Sequence, residues 1–219
     1  KSQFSRSKEI SKEIEQFDKS QIKIKNEMDI TLSSLPNLAL DDVPIGKDEK
    51  SNNNNLIVAG YDAVYRSHTA GAVWDSIPYG QTIKTIALAA SDEDYIYAGT
   101  YASLRVTKDA GANWTNITPF FLNHSITDVT VSNSDADRVW VTLSGYTSSH
   151  KVYESVNGGL NFINITANGL PNLPVNCIVY QAGTNDDLYV GTDVGVYYKN
   201  NTMTDWIPYM IGLPNVVVK

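Results

Sequence analysis

Thr107 to Thr118 reads TKDAGANWTNIT, and the spacing of its hydroxyl, carboxylate, glycine and aromatic decides how the rest of the chain is read. Two further stretches keep that spacing. They are SVNGGLNFINIT, Ser155 to Thr166, and SHTAGAVWDSIP, Ser67 to Pro78. An Asp or Asn at the third position offers an oxygen that accepts hydrogen bonds from the N–H groups of its own turn. The glycine two residues later supplies a positive φ that other residues resist. The aromatic three beyond it has a large apolar area to bury. The unit is a hairpin turn followed by an anchor, a building part and not a reaction centre.

The anchors Trp74, Trp114, Phe162 and Trp206 lie 40, 48 and 44 residues apart. Around them runs a constant order of short β-rich segments. A first strand (TIKTIALAA, SITDVTVSN, PVNCIVYQA) is followed by an acidic turn (SDEDY, SDADR, TNDDL). A second strand follows (YIYAGT, VWVTLS, LYVGT), then a third (LRVTKD, KVYESV, GVYYKN) that leads into the turn, and the aromatic opens a fourth. Val, Ile, Tyr and Thr dominate these runs and Gly, Asn, Asp and Ser separate them, as strands require. Thirteen tyrosines against five phenylalanines fit half-buried strands with wet edges. Four-stranded units at this period predict the blades of a β-propeller. The fold class expected is all-β, a partial propeller. Its first unit, LIVAGYDAVYRS, lacks a first strand, and GLPNVVVK at the end copies only the opening of GLPNLPVNCIVY.

The N-terminal part has another period. Ile10, Ile14, Phe17, Ile24 and Met28 form an apolar stripe with Lys and Glu between them, which predicts one amphipathic helix over 7–28. The domains expected are a helical and extended segment over 1–46, a polar linker or chain break over 47–55, and blades over 56–219. The helix is expected to dock on something other than the inner strands of the blades.

The 219 residues carry a net charge of −7. That excludes the clustered Lys and Arg of a nucleic-acid footprint. No apolar run reaches the roughly 18 residues of a spanning helix, and no signal peptide is visible. Cys177 is the one cysteine, so no internal disulfide forms, and in VNCIVY it reads as a small buried hydrophobe. His68, His124 and His150 lack metal-ligand spacing. No metal and no cofactor is expected.

Thr107-x-Asp109-x-Gly111-x-x-Trp114 resembles the Asp-box of BNR-type propellers. Ser155, Asn157, Gly159 and Phe162 form a second copy, and Ser67, Gly71 and Trp74 a third with Thr69 in the Asp place. The fourth, Lys199 to Trp206, keeps only the aromatic and an Asn201. The family includes sialidases, xyloglucan-type glycosidases, sortilin-like receptors and photosystem assembly factors. The wording GLPNLPVNCIVY, DLYVGTDVGVYY and MTDWIPY further resembles large secreted Bacteroidota proteins exported by the type IX system. The resemblance implies a secreted or cell-surface chain whose partners are a protein, a surface glycan or the remaining blades of a parent protein. Asp75-Ser76-Ile77 matches a short O-glycosylation motif of such proteins, which makes Ser76 a candidate acceptor.

In such propellers the turns after the third strand lie on the rim opposite the ligand loops, so the boxes read as structural. The acidic turns share that rim and read as solvated turns, without the carboxylate array of a calcium loop. A sialidase-like site would need three converging arginines. Arg66 and Arg105 sit eight and nine residues before their anchors, on opposite strand faces, and Arg138 sits in an acidic turn. A glycosidase needs two carboxyl groups roughly 5–10 Å apart. Asp62 and Asp193, in second-to-third-strand loops, and Asp128, at the start of a first strand, are the candidates. Three functions stay open: a non-catalytic extracellular scaffold or binding module, the propeller part of a secreted glycoside hydrolase, and an assembly factor for a membrane complex.

Overall fold

The strand-forming runs pair with their sequence neighbours into antiparallel meanders. The computed structural model describes residues 56–118, 125–147, 149–212 and 214–219, all within one compact unit, Asn53–Lys219. The expected helix over 7–28, the segment 1–46, the linker over 47–55 and His124 lie outside the described residues.

Blade 1 has three strands, β1 (Leu56–Ala59), β2 (Ala63–Ser67) and β3 (Asp75–Pro78). Blade 2 has four, β4 (Thr85–Leu88), β5 (Ile96–Gly99), β6 (Leu104–Thr107) and β7 (Thr115–Asn116). Blade 3 comprises β8 (Ile126–Val131), β9 (Val139–Leu143), β10 (Val152–Ser155) and β11 (Ile163–Asn164). Blade 4 comprises β12 (Val175–Gln181), β13 (Asp187–Thr192), β14 (Gly195–Lys199) and β15 (Ile207–Pro208). Hydrogen-bonded order follows chain order in every sheet, so short turns suffice throughout. The expected all-β architecture of repeated four-stranded blades is therefore the observed one.

Strand alternation gives each blade two faces. In β13, Leu188 and Val190 face blade 3 and join a core with Trp140, Val152, Ile178 and Trp206. In β9, Val139, Val141 and Leu143 face blade 2 and pack with Tyr97, Val106 and Ile126. Blade 1 meets blade 2 through Val64, Ile77, Tyr79, Ile83, Ile96 and Ala98. The apolar core is thus three slabs between four sheets. No sheet has a core of its own, which is why the repeat must stack.

The inner strands β8 and β12 each carry a bulge, at Thr127 and Asn176. A bulge turns one extra side chain out of the ladder. Here the freed side chain reaches the next inner segment. Thr127 Oγ1 donates to the Val175 carbonyl at 2.6 Å and Asn176 Nδ2 to the Val218 carbonyl at 3.1 Å. Val218 therefore stands to blade 4 as Val175 stands to blade 3.

Candidate functional site

Turns after the first and third strands of each blade share one rim, and loops after the second and fourth share the other. On the first rim the three repeated turns have one geometry. The Ser67, Thr107 and Ser155 hydroxyls accept the N–H of Gly71, Gly111 and Gly159 at 2.9, 2.8 and 2.9 Å. The Thr69 hydroxyl, the Asp109 carboxylate and the Asn157 amide oxygen each accept the N–H four residues on, at 2.8, 2.8 and 3.0 Å. Thr69 thus does by hydroxyl what Asp109 does by carboxylate. Hydrogen bonds from the Asn113 side chain and backbone, and from Thr107, hold the Asp109 carboxyl below the usual carboxylate range. In the fourth copy Lys199 replaces the hydroxyl and its ammonium caps the Met203 carbonyl. Burial pushes that ammonium's pKa down, with Asp205 and Glu154 opposing.

One feature of these turns escapes the sequence pattern. The residue before each glycine is also left-handed, with φ of 52° at Ala70, 56° at Ala110 and 67° at Gly158. The anchors also differ from one another. Trp206 is buried and its indole N–H donates to the Ile165 carbonyl at 2.9 Å. Trp114 packs edge-on against Tyr79 of blade 1, with centroids 4.9 Å apart. Phe162 is half-buried against the core between blades 2 and 3, and Trp74 is 40% exposed. Ser76 is exposed on β3. Cys177 is half-buried rather than fully so, and burial raises its thiol pKa.

The acidic turns are not simply solvated. A cation from the preceding blade meets each of them. Arg66 lies 3.5 Å from Glu93 and 3.7 Å from Asp94, Lys108 lies 2.8 Å from Asp137, and Arg138 lies 3.0 Å from Asp186. Arg138 also makes two bonds to Glu154 at 2.7 and 3.0 Å and lies over the Trp140 ring. A polar cleft of about 250 Å³ opens beside it between blades 3 and 4. Arg105 turns to the other face of its strand, where it donates to the Tyr79 carbonyl. The three arginines do not converge.

The candidate acids are not brought together either. Asp62 is exposed in the β1–β2 loop, and its carbonyl holds the Tyr79 and Gly80 amides. Asp193, in the β13–β14 loop, accepts the Asn176 side chain at 3.0 Å, and blades 2 and 3 stand between the two loops. Asp128 turns sideways rather than toward the loop rim. Its carboxylate accepts the Thr85 hydroxyl at 2.7 Å, its neighbour's Val129 N–H at 2.9 Å and the Ile178 N–H at 3.0 Å. One side chain so ties the inner strands of blades 2, 3 and 4. Among the described residues no group of three or more His, Cys, Asp or Glu is placed to hold a metal.

What the loop rim does display is aromatic. Tyr61, Tyr101 and Tyr146 occupy the loops after the second strands of blades 1, 2 and 3, and are 81%, 60% and 71% exposed. Lys84 lies over the Tyr101 ring, 4.4 Å from its centroid. Sequence reasoning passed over these residues, although GY, TY and GY after successive second strands were there to be read. Large exposed aromatics at corresponding loops form a surface suited to contact.

No family model matches the chain. A stretch of 49 residues is 51% identical to serine–tRNA ligase of Pelagibacter ubique, over 22% of this chain and 12% of that protein, too little of either to define a family. Solved structures match the blades. A GH74 xyloglucanase from Xanthomonas campestris superposes with a TM-score of 0.57 at 15% identity, over 71% of this chain and 29% of its own. YCF48 bound to D1 peptide gives 0.53 at 10% identity, over 72% and 51%. The extracellular domain of a one-component system protein from B. thetaiotaomicron gives 0.52 at 18% identity, over 72% and 21%. At these identities the likeness shows the fold, a β-propeller. The chain spans about a fifth to a half of these propeller chains and about an eighth of the ligase.

Proposed function

We propose that this chain is a non-catalytic binding module of an exported surface protein, and that its binding face is the loop rim bearing Tyr61, Tyr101 and Tyr146. The repeated turns read as Asp-boxes of the BNR type that brace the opposite rim. The observation that carries the reading is the display of three exposed tyrosines on successive blades. A tyrosine supplies a large, rigid, amphipathic contact at low entropic cost. An extended peptide of a protein partner is the occupant that fits this row. The peptide-bound YCF48 neighbour supports that choice. The extracellular neighbour and the Bacteroidota-like wording support export, with the type IX system as the proposed route.

The hydrolase reading draws on the GH74 neighbour. It is disfavoured by Asp128, whose carboxylate is committed to three donors, and by the separation of Asp62 from Asp193.

The test is a peptide and glycan array probed with the full chain and with a Tyr61, Tyr101, Tyr146→Ser triple variant. Retained structure with at least a tenfold loss of peptide binding is expected. Release of reducing sugar from xyloglucan, abolished by Asp62→Asn or Asp193→Asn, would replace this reading with the hydrolase.

A further inference from the structure

Two Asn–Gly steps occur in the chain, Asn157–Gly158 and Asn168–Gly169. Such a step carries a latent reaction. The glycine's backbone nitrogen can close on the side-chain amide carbon of the asparagine before it, because no β-carbon obstructs the approach. How readily it closes depends on how firmly the fold holds the two groups, and the two steps are held very differently.

Asn157 belongs to the third of the repeated turns. Its side-chain oxygen accepts the Ser155 hydroxyl and the Asn161 N–H, both at 3.0 Å. The Gly158 N–H, on the nitrogen that would attack, donates to the Asp137 carbonyl at 2.8 Å, and Gly158 is buried. Bringing the two groups together here means breaking those bonds first.

Asn168 lies in the β11–β12 loop, exposed together with Gly169. Its side chain is held at one point, where Nδ2 donates to the Asp205 carboxylate at 3.0 Å. The same Asp205 oxygen accepts the Asn168 backbone N–H at 3.2 Å. Among the described residues the Gly169 N–H meets no acceptor. The attacking nitrogen is therefore free at Asn168 and tied at Asn157.

This loop also belongs to the joint between blades 3 and 4. The Asn168 carbonyl accepts the Trp206 N–H at 3.0 Å. Gly169 lies so close to the same residue that a β-carbon on it would stand 1.9 Å from the Trp206 carbonyl oxygen.

We propose that Asn168 is a self-modification site, which the folded chain converts to aspartate and isoaspartate while holding Asn157 as asparagine, and that the conversion loosens the clasp of this loop on the blade 4 anchor. The Gly169 nitrogen forms a bond to Asn168 Cγ. The Cγ–Nδ2 bond breaks, and Nδ2 leaves as ammonia with the proton from the Gly169 nitrogen. Water then opens the resulting succinimide. Addition at the side-chain carbonyl gives isoaspartate if the backbone bond is the one broken, and aspartate if the ring bond to the side chain is broken instead. Nothing is oxidised or reduced, and water is the one co-reactant. Either product puts a carboxylate where Nδ2 had donated to Asp205, so an attraction becomes a repulsion between like charges. Isoaspartate also reroutes the backbone that carries the carbonyl under the Trp206 N–H. The conversion uses none of the loop-rim tyrosines and stands apart from the binding reading.

The experiment incubates the full chain at mildly alkaline pH, in native buffer and in guanidinium chloride. Proteolysis with mass spectrometry follows each Asn–Gly step, and an isoaspartyl methyltransferase labels the isoaspartate. In native buffer Asn168 is expected to convert roughly tenfold or more faster than Asn157, the effect of one backbone hydrogen bond on a rate. In guanidinium chloride the two rates should converge, since both asparagines precede glycine. Equal rates in native buffer would overturn the proposal. So would an Asn168 that stays intact for as long as the unfolded chain takes to convert it. The loosening is read by urea unfolding at neutral pH. Asn168→Asp should lower the midpoint, and adding Asp205→Asn should recover part of the loss, because the repulsion needs both carboxylates. A folded Asn168→Asp variant as stable as wild type would overturn the loosening.

Discussion

Gly159 and Ile117 touch across the boundary between blades 3 and 2: a β-carbon on the glycine would lie 2.3 Å from Ile117 Cδ1. Gly111 and Ile77 repeat the relationship at 2.1 Å from Cγ2. The turn glycine is therefore required twice, by its own φ of 86° and by the isoleucine three residues past the preceding anchor. Gly159→Ala is expected to cost about 1–3 kcal/mol, from left-handed strain and overpacking together. Equilibrium urea unfolding measures it. Combining Gly159→Ala with Ile117→Ala should recover part of the loss, because the clash needs both groups. Strictly additive losses would mean that backbone strain alone sets the requirement.

Asp128 predicts a stability effect where an acid catalyst would predict an activity effect. Removing its carboxylate strands the Ile178 N–H and the Thr85 hydroxyl between blades. Asp128→Ala should cost about 1.5–3 kcal/mol, and Asp128→Asn less, since one oxygen acceptor remains. Peptide binding at the loop rim should not change in folded protein. A stable Asp128→Ala variant that had lost binding or turnover would return this residue to the functional candidates.

Trp206 combines burial with a hydrogen bond, and two substitutions separate the contributions. Trp206→Ala should cost about 3–5 kcal/mol by opening a large void in the core between blades 3 and 4. Trp206→Phe keeps most of the apolar contact and strands the Ile165 carbonyl, for about 1 kcal/mol. Thermal melts of the two variants should fall in that order below wild type.

Asp109 gives a pH prediction whose sign follows from its depressed pKa. A carboxyl with a lower pKa in the folded than in the unfolded chain contributes stability above the unfolded value, near 4. That contribution is lost as pH falls through the folded value. Asp109→Asn, which copies Asn157 of the next turn, keeps the oxygen acceptor and has nothing to titrate there. The difference in urea midpoint between wild type and Asp109→Asn should be constant at neutral pH and change only below about pH 4. A difference that moves between pH 5 and 7 would point to another group.

The sequence by itself determined the blade, because everything that specifies a blade is local. Period-two alternation sets the strands, and the Ser/Thr hydroxyl, Asp oxygen and glycine of each turn bond within four residues of one another. The spacing of Trp74, Trp114, Phe162 and Trp206 therefore announced the repeat before any pairing was known. What lies between blades was decided only by the tertiary structure. Asp128 meets Thr85 and Ile178 across 43 and 50 residues, Arg138 finds Asp186 in the next acidic turn, and Ile117 fills the space over Gly159. No short-range pattern carries those partners, because they are set by how one sheet face lies on the next. Burial was divided in the same way. Trp74 and Trp206 hold the same place in the repeat, yet one is half-exposed and the other sealed, and what seals Trp206 is the segment around Ile165, 41 residues away.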